Sequence, residues 1–241
     1  MALSRSSKIW GGVALGGLAL GAAALGYARY LRPRHLRWGA TDEEVNGVWP
    51  GDEVSPGATS VNTHAITINA PKDAVWPWIV QIGQDRAGFY SYSWLENVVG
   101  ASIHNIDRIV PEFQDRKVGD TMWLAPKHRY AGQARLVVAR LDPGEAMVLV
   151  SPDDYDRLFD GGLAKGTWSF ILKAIDENTT RFIMRGRGRP IGALEQVIDK
   201  TVFEPAHFIM ERRMMLSIKE LAERKAVDSR PKKQLVDGSV G

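Results

Sequence analysis

Five histidines, His35, His64, His104, His128 and His207, are the first candidates for acid–base or metal chemistry in this 241-residue chain. None stands in an HExxH arrangement or another metal-ligand spacing. His104 and Asp107 fall three apart, but one imidazole and one carboxylate make a poor metal site. The chain has no cysteine, which excludes disulfides, thiolate zinc sites, iron–sulfur clusters and cysteine nucleophiles. No GxSxG occurs, and Gly186-Arg187-Gly188 closes a strand instead of opening a helix, so it is not a dinucleotide loop. No metal and no cofactor is implied.

The densest polar run is Gln84, Asp85, Arg86, Tyr90, Tyr92 and Glu96. Asp85, Tyr90, Tyr92 or His64 could serve as acid or base if one of them faced a desolvated cavity. Asp85 and Arg86 read equally as ties that hold their loop to a sheet. Asp107, Arg108 and Glu112 read as an ion-pair network. Trp168, Phe170, Phe182 and Met184, with Met210 and Met214, form an apolar set. These six are either plain core or the wall of a pocket whose flat rings and pliable thioethers suit an apolar guest.

The elements that must position these side chains follow from periodicity and punctuation. Residues 60–68 (SVNTHAITI) carry β-branched residues in alternation and predict a strand. Asn69-Ala70-Pro71 opens a helix running to Gly83, with Pro77 inside it. Ser93-Trp94-Leu95-Glu96 is a capping box for a second short helix ended by Gly100. Residues 101–120 are irregular. Strands are predicted at 121–125, 134–141, 146–150, 167–175 and 181–188, separated by turns that include Ser151-Pro152-Asp153-Asp154. Residues 167–175 and 181–188 read as half-buried antiparallel strands, polar on one face. From Ile191 to Glu223 the period turns helical, with Ile191, Leu194, Ile198, Val202, Ile209 and Leu216 on one stripe and a bend at Pro205. Strands followed by one long helix make an α+β fold in which the helix covers a curved sheet.

The ends differ from this body. Residues 1–38 carry Arg5, Lys8, Arg29, Arg32, Arg34 and Arg37 and no acid, and the tail 225–241 is basic and polar, so the body between is acidic despite a net charge of +3. A basic face for nucleic acid is missing, and that partner class is excluded. Residues 10–27 (WGGVALGGLALGAAALGY) are uncharged and cover roughly 27 Å as a helix, close to a bilayer core. Trp10, Tyr27 and Tyr30 sit where interfacial aromatics belong. A cleaved signal peptide shares the basic start and the small residues Ala22–Ala24, but its apolar run is shorter, and here the run stops at Arg29–Arg37. The expectation is a single-pass anchor over residues 1–38, with the following domain cytoplasmic by the basic bias. Gly12, Gly16, Gly17 and Gly21 offer a close-packing face for self-association. Residues 39–59 read as a linker or surface arm pinned by Val48 and Trp49, residues 60–224 as the domain, and 225–241 as a disordered tail.

The order of elements, with AITINAPKDAVWPWIVQIGQDRAGFYSYSWLENVVG at 65–100, resembles the bacterial polyketide cyclase/dehydrase-like branch of the START-like, or SRPBCC, superfamily. INAP (Ile68–Pro71), VWPWIVQIG (Val75–Gly83), GQDRAGFYSYSWLE (Gly83–Glu96), IVPEFQ (Ile109–Gln114), VGD (Val118–Asp120) and MERRMMLSIKELAE (Met210–Glu223) carry the resemblance, which covers about residues 60–224. It implies a helix-grip: a seven-stranded antiparallel sheet wrapped round the C-terminal helix, with a hydrophobic pocket between them. Members of that superfamily bind lipids, sterols, polyketides or plant hormones, and some cyclise aromatic rings. No family catalytic motif matches numbered positions in this chain, and an N-terminal anchor departs from the common form.

Three functions are therefore expected, in this order. The first is a membrane-tethered domain binding a hydrophobic, lipid-like or polyketide-like molecule, with Trp168, Phe170, Phe182, Met184, Met210, Met214, Tyr90 and Tyr92 against the ligand. The second is a cyclase, dehydratase or hydrolase acting on such a molecule. The third is an accessory subunit of a membrane complex.

Overall fold

A computed structural model describes residues 25–98, 100–189, 192 and 204–228 of the chain. A π-helical turn, Tyr27–Leu31, runs into a short helix α1 (Arg32–His35), and α2 (Asp42–Asn46) follows. Next come β1 (Ser60–Ile68), α3 (Lys72–Val80) and α4 (Ser93–Val98). Strands β2 (Thr121–Trp123), β3 (Arg135–Asp142) and β4 (Ala146–Val150) lead to α5 (Pro152–Phe159). Strands β5 (Thr167–Asp176) and β6 (Thr179–Gly188) precede the long helix α6 (Glu204–Asp228).

The sheet is antiparallel throughout, in the order β1-β6-β5-β4-β3-β2. Six strands are present among the described residues, where the resemblance implied seven. Helix α6 crosses one face, giving the α+β helix-grip arrangement. Phe170, Leu172, Phe182, Met147 and Leu149 point from the sheet into a core shared with α3 and with Met214, Met215, Ile218 and Ala222 of α6. The early part of the predicted helical stripe, at Ile191, Leu194, Ile198 and Val202, lies outside the described residues, and so does the stretch before Pro205 on which the expected bend depends.

Three local expectations change. Ser151–Asp154 is not a turn but the start of α5: the Ser151 side chain accepts from the Asp154 amide at 3.1 Å, Pro152 occupies the first turn, and acids follow it. Those are N-terminal helix signals, and they outweigh the turn preference of the same residues. Strands β5 and β6 are not polar on an open face either. Residues 39–59 are packed across that face, where Trp49 lies against Ala65, Ala146, Ile171 and Ile183. Val48 does not help to pin them, being 87% exposed.

The arginines of β6 account for the arm's position. Arg181 grips both carboxylate oxygens of Glu44 at 2.7 and 2.8 Å. Arg185 and Arg187 both reach Asp52, at 2.9 and 3.2 Å. Arg185 also donates to the Thr63 hydroxyl at 2.6 Å. Arg185 and Asp52 are almost wholly buried, so each needs the other: a buried charge stripped of its partner costs about 3–5 kcal/mol.

The single-pass membrane assignment, with its cytoplasmic orientation, is corrected. Among the described residues no helix is long and apolar enough to cross a membrane. Of the span 10–27 only residues 25–27 are described, and Gly12, Gly16, Gly17 and Gly21 lie outside, as does the tail from residue 229. The basic cluster read as a headgroup stop is partly used inside the protein. Arg32 pairs with Glu204 at 2.9 Å, and Arg37 pairs with Asp42. The backbone that follows lies along the edge of β1: the Thr63 amide donates to Leu36 O at 2.7 Å and the Ala65 amide to Trp38 O at 3.0 Å.

The arm carries an acid-sensitive contact. Hydrogen bonds from Arg181 hold the Glu44 carboxyl below its ordinary range. A carboxyl whose folded value is lowered stabilises the fold above its unfolded value and loses that contribution as pH falls through the folded one. Urea unfolding of Glu44→Gln should show a smaller loss of stability than wild type across that acid window. Parallel curves would refute the linkage.

Candidate functional site

A cavity of about 770 Å3 lies between one end of the sheet and the first three turns of α6. Its origin is visible in the register. Strand β6 presents Met184 inward beside Phe170 and opposite His64, filling the core, and then presents Gly186 and Gly188 opposite Asn62 and Ser60. Two successive inward positions without side chains leave the sheet uncovered there. A Cβ at Gly188 would meet nothing within 4 Å, whereas one at Gly186 would come within 2.1 Å of Asn62 Oδ1.

The remaining wall is mostly apolar. Trp168 of β5 and Leu136 of β3 face Phe208, Met210 and Met214 of α6. Ala101 and Ile103 close another side, from the irregular stretch 101–120. That stretch is held by side chains in place of a ladder. Asn97 exchanges hydrogen bonds with the Ile103 backbone at 2.6 and 3.2 Å. Asn105 accepts from the amides of Phe89 and Tyr90 and donates to Ser91 O. Gln81 donates to Arg108 O and accepts from the Val110 amide. Arg116 donates to Val80 O and Ile82 O, capping the C-terminal end of α3.

Polar groups gather at the end of the cavity where α6 begins. His64 is 2% exposed, with Nε2 2.8 Å from His35 O and Nδ1 3.1 Å from Glu211 Oε2. The second contact has ion-pair distance without hydrogen-bond alignment. Asn62 Nδ2 reaches the same Glu211 oxygen at 3.5 Å, a long contact. Phe208 stacks on His35 with centroids 4.5 Å apart and meets His64 and Trp38 edge-on at 5.5 and 6.3 Å. Residues 35–38 are thereby fixed on the side of both β1 and α6, and His35 and Leu36 become part of the wall.

The structure separates the residues expected at a site. Trp168, Met210 and Met214 line the cavity. Phe170, Phe182 and Met184 are fully buried in the packed core beside it. Tyr90 turns inward to Trp78, its hydroxyl accepting from Gln81 Nε2 at 2.7 Å, and it borders a separate hollow of about 220 Å3. Burial pushes the Tyr90 hydroxyl well above its ordinary range, so it is no base near neutrality. Tyr92 lies partly exposed under Arg213. Asp85 is exposed, and Arg86 is spent on Phe113 O and Asp120. The Glu96 side chain lies outside the described residues. Of the acid–base candidates, His64 alone lines the cavity. Glu204, Phe208, Glu211 and the inward glycines were not singled out in the sequence. The GRG at 186–188 was the available signal, since small residues at alternate inward positions of a strand mean missing wall.

No protein-family profile matches the chain, and no curated protein matches it. Similar solved structures include the Aha1 dimer from Colwellia psychrerythraea, at 15% identity and a TM-score of 0.40 over 68% of this chain and 97% of that one. A polyketide-cyclase-like protein from Corynebacterium glutamicum is similar at 12% identity and a TM-score of 0.31, over 70% and 87%. An HSP90 activator from Plasmodium falciparum is similar at 13% identity and a TM-score of 0.31, over 62% and 92%. At such distances nothing about a ligand, a reaction or a partner transfers to this chain.

Phe208 is the joint between the N-terminal segment and α6. Phe208→Ala should cost about 2–3 kcal/mol from lost burial and ring contacts. Amide exchange at Thr63 and Ala65 should quicken more than elsewhere in β1. Unchanged protection at these two amides would show that the segment is held by other contacts.

Proposed function

We propose that this protein binds an apolar small molecule in the cavity between the Gly186–Gly188 end of the sheet and the start of α6. The observation that carries the reading is a hollow of about 770 Å3 with a mostly apolar wall, which is the size of an ordinary small-molecule site. An apolar guest that fills it gains from every square ångström withdrawn from water, and a few polar groups at one end suffice to orient it. Within this reading Trp168, Met210 and Met214 contact the ligand, while Phe170, Phe182 and Met184 support the wall from behind. The resemblance of residues 60–224 to the START-like superfamily agrees with such a role.

The neutral dye Nile red is a suitable probe, because its fluorescence rises in apolar surroundings. Gly188→Leu places in the cavity wall a side chain whose Cβ meets no atom within 4 Å. The variant should unfold at nearly the wild-type temperature and bind the dye about tenfold more weakly or worse. Equal dye affinity in the two proteins would remove the cavity from consideration as the binding site.

A second reading, acid–base chemistry on the bound molecule, draws on the His64–Glu211 contact in the same wall. An apolar ketone in deuterated water tests it. Faster α-proton exchange with the protein, lost in His64→Gln, supports chemistry, and exchange at the buffer rate leaves binding alone.

A further inference from the structure

The binding reading says where a ligand sits, and the charges around the cavity say which ligands are admitted. We propose, resting on that reading, that the cavity selects uncharged amphiphiles bearing a hydroxyl group and turns away anionic ones such as fatty-acid carboxylates. Two carboxylates, Glu204 and Glu211, line the side formed by the first turns of α6. Each already has a basic partner. Glu204 Oε2 lies 2.9 Å from the Arg32 guanidinium, and Glu211 Oε2 lies 3.1 Å from His64 Nδ1.

The proton on the second pair follows from its neighbours. His64 Nε2 faces the carbonyl oxygen of His35 at 2.8 Å, and a carbonyl can only accept, so Nε2 carries hydrogen. With one imidazole set against one carboxylate, the pair offers no surplus positive charge. Neither pair has positive charge to spare. Among the described wall residues the permanent cation is Arg187, and its guanidinium is spent on Asp52 at 3.2 Å and Ser55 O at 3.2 Å. A ligand carboxylate placed here would be desolvated beside two acids with no free permanent counter-ion among the described wall residues, which is the costly case.

A hydroxyl meets the opposite situation. Trp168 Nε1 is buried without a hydrogen-bond partner, and Glu204 Oε1 is buried without an aligned one, although the Tyr27 hydroxyl lies close enough to interact with that carboxylate. The indole donates to a hydroxyl and the carboxylate oxygen accepts from one, and both residues border the cavity. Buried polar atoms left unpaired are expensive, so a group that satisfies either is favoured over a bare hydrocarbon.

Displacement of Nile red from the full chain by 1-decanol and by decanoate, at about pH 8 where the acid is ionised, tests the proposal. Decanol should compete at concentrations at least about tenfold below decanoate. Glu204→Gln frees Arg32, and Glu211→Gln removes the partner of His64. Each should shift the preference toward decanoate by about tenfold. Circular dichroism identifies a variant that fails to fold, in which case the other decides. Equal competition in wild type, or a preference unmoved in the folded variants, overturns the proposal while dye binding stands. Failure of the wild type to take up Nile red overturns the binding reading, and the proposal with it.

Discussion

Two backbone hydrogen bonds, from the Thr63 and Ala65 amides to the carbonyls of Leu36 and Trp38, hold the cavity end of this molecule together. Strand β1 is an edge strand, and its outward donors would otherwise invite pairing with another chain. Closing that edge with residues 36–38 puts His35 beside His64 and α6. Its carbonyl then fixes one nitrogen of His64, its ring stacks on Phe208, and the neighbouring Arg32 meets Glu204. The polar end of the cavity is assembled from three stretches far apart in sequence, and this edge contact brings the first of them into place.

The cavity follows from how the helix and the sheet divide their labour. At one end large side chains from both meet, with Phe170, Phe182 and Met184 against the later turns of α6, and the space is filled. At the other end glycines replace side chains on β6 while α6 continues, so a separation set by the packed end persists where nothing fills it. Interiors tolerate such a gap only with a contribution from elsewhere. The side-chain ties on 101–120 and the docked residues 35–38 provide walls that do not collapse inward.

Much of this was legible in the sequence, and the failures have physical reasons. Alternation located each strand within a few residues, and Asn69-Ala70-Pro71 marked the passage from β1 into α3. Strands β5 and β6 misled, because alternation reports polarity and the arginines of β6 are polar yet covered. Whether an arginine faces water or a carboxylate such as Asp52 depends on a segment more than 130 residues away. The apolar run before Tyr27 suggested a membrane from composition, while the use of Arg32 and Trp38 inside the fold could not be read from their local pattern. Of the apolar set, Trp168, Met210 and Met214 line the cavity while Phe170, Phe182 and Met184 fill the core: large side chains fill a core, and it is the small ones, Gly186 and Gly188, that reveal a hollow. Glu204 and Glu211 looked like ordinary charges on a helix, since only the tertiary fold turns them toward His64 and Arg32.

The covered outer face also bears on what can fold by itself. With Arg185 and Arg187 both answering to Asp52, and Arg181 answering to Glu44, the sheet borrows its electrical balance from residues that precede it. A fragment cut to begin at Ser60 would keep every strand and the long helix, yet it would carry three arginines on one strand with no acid to receive them. The smallest autonomous piece of this protein is therefore larger than its recognisable sheet-and-helix outline.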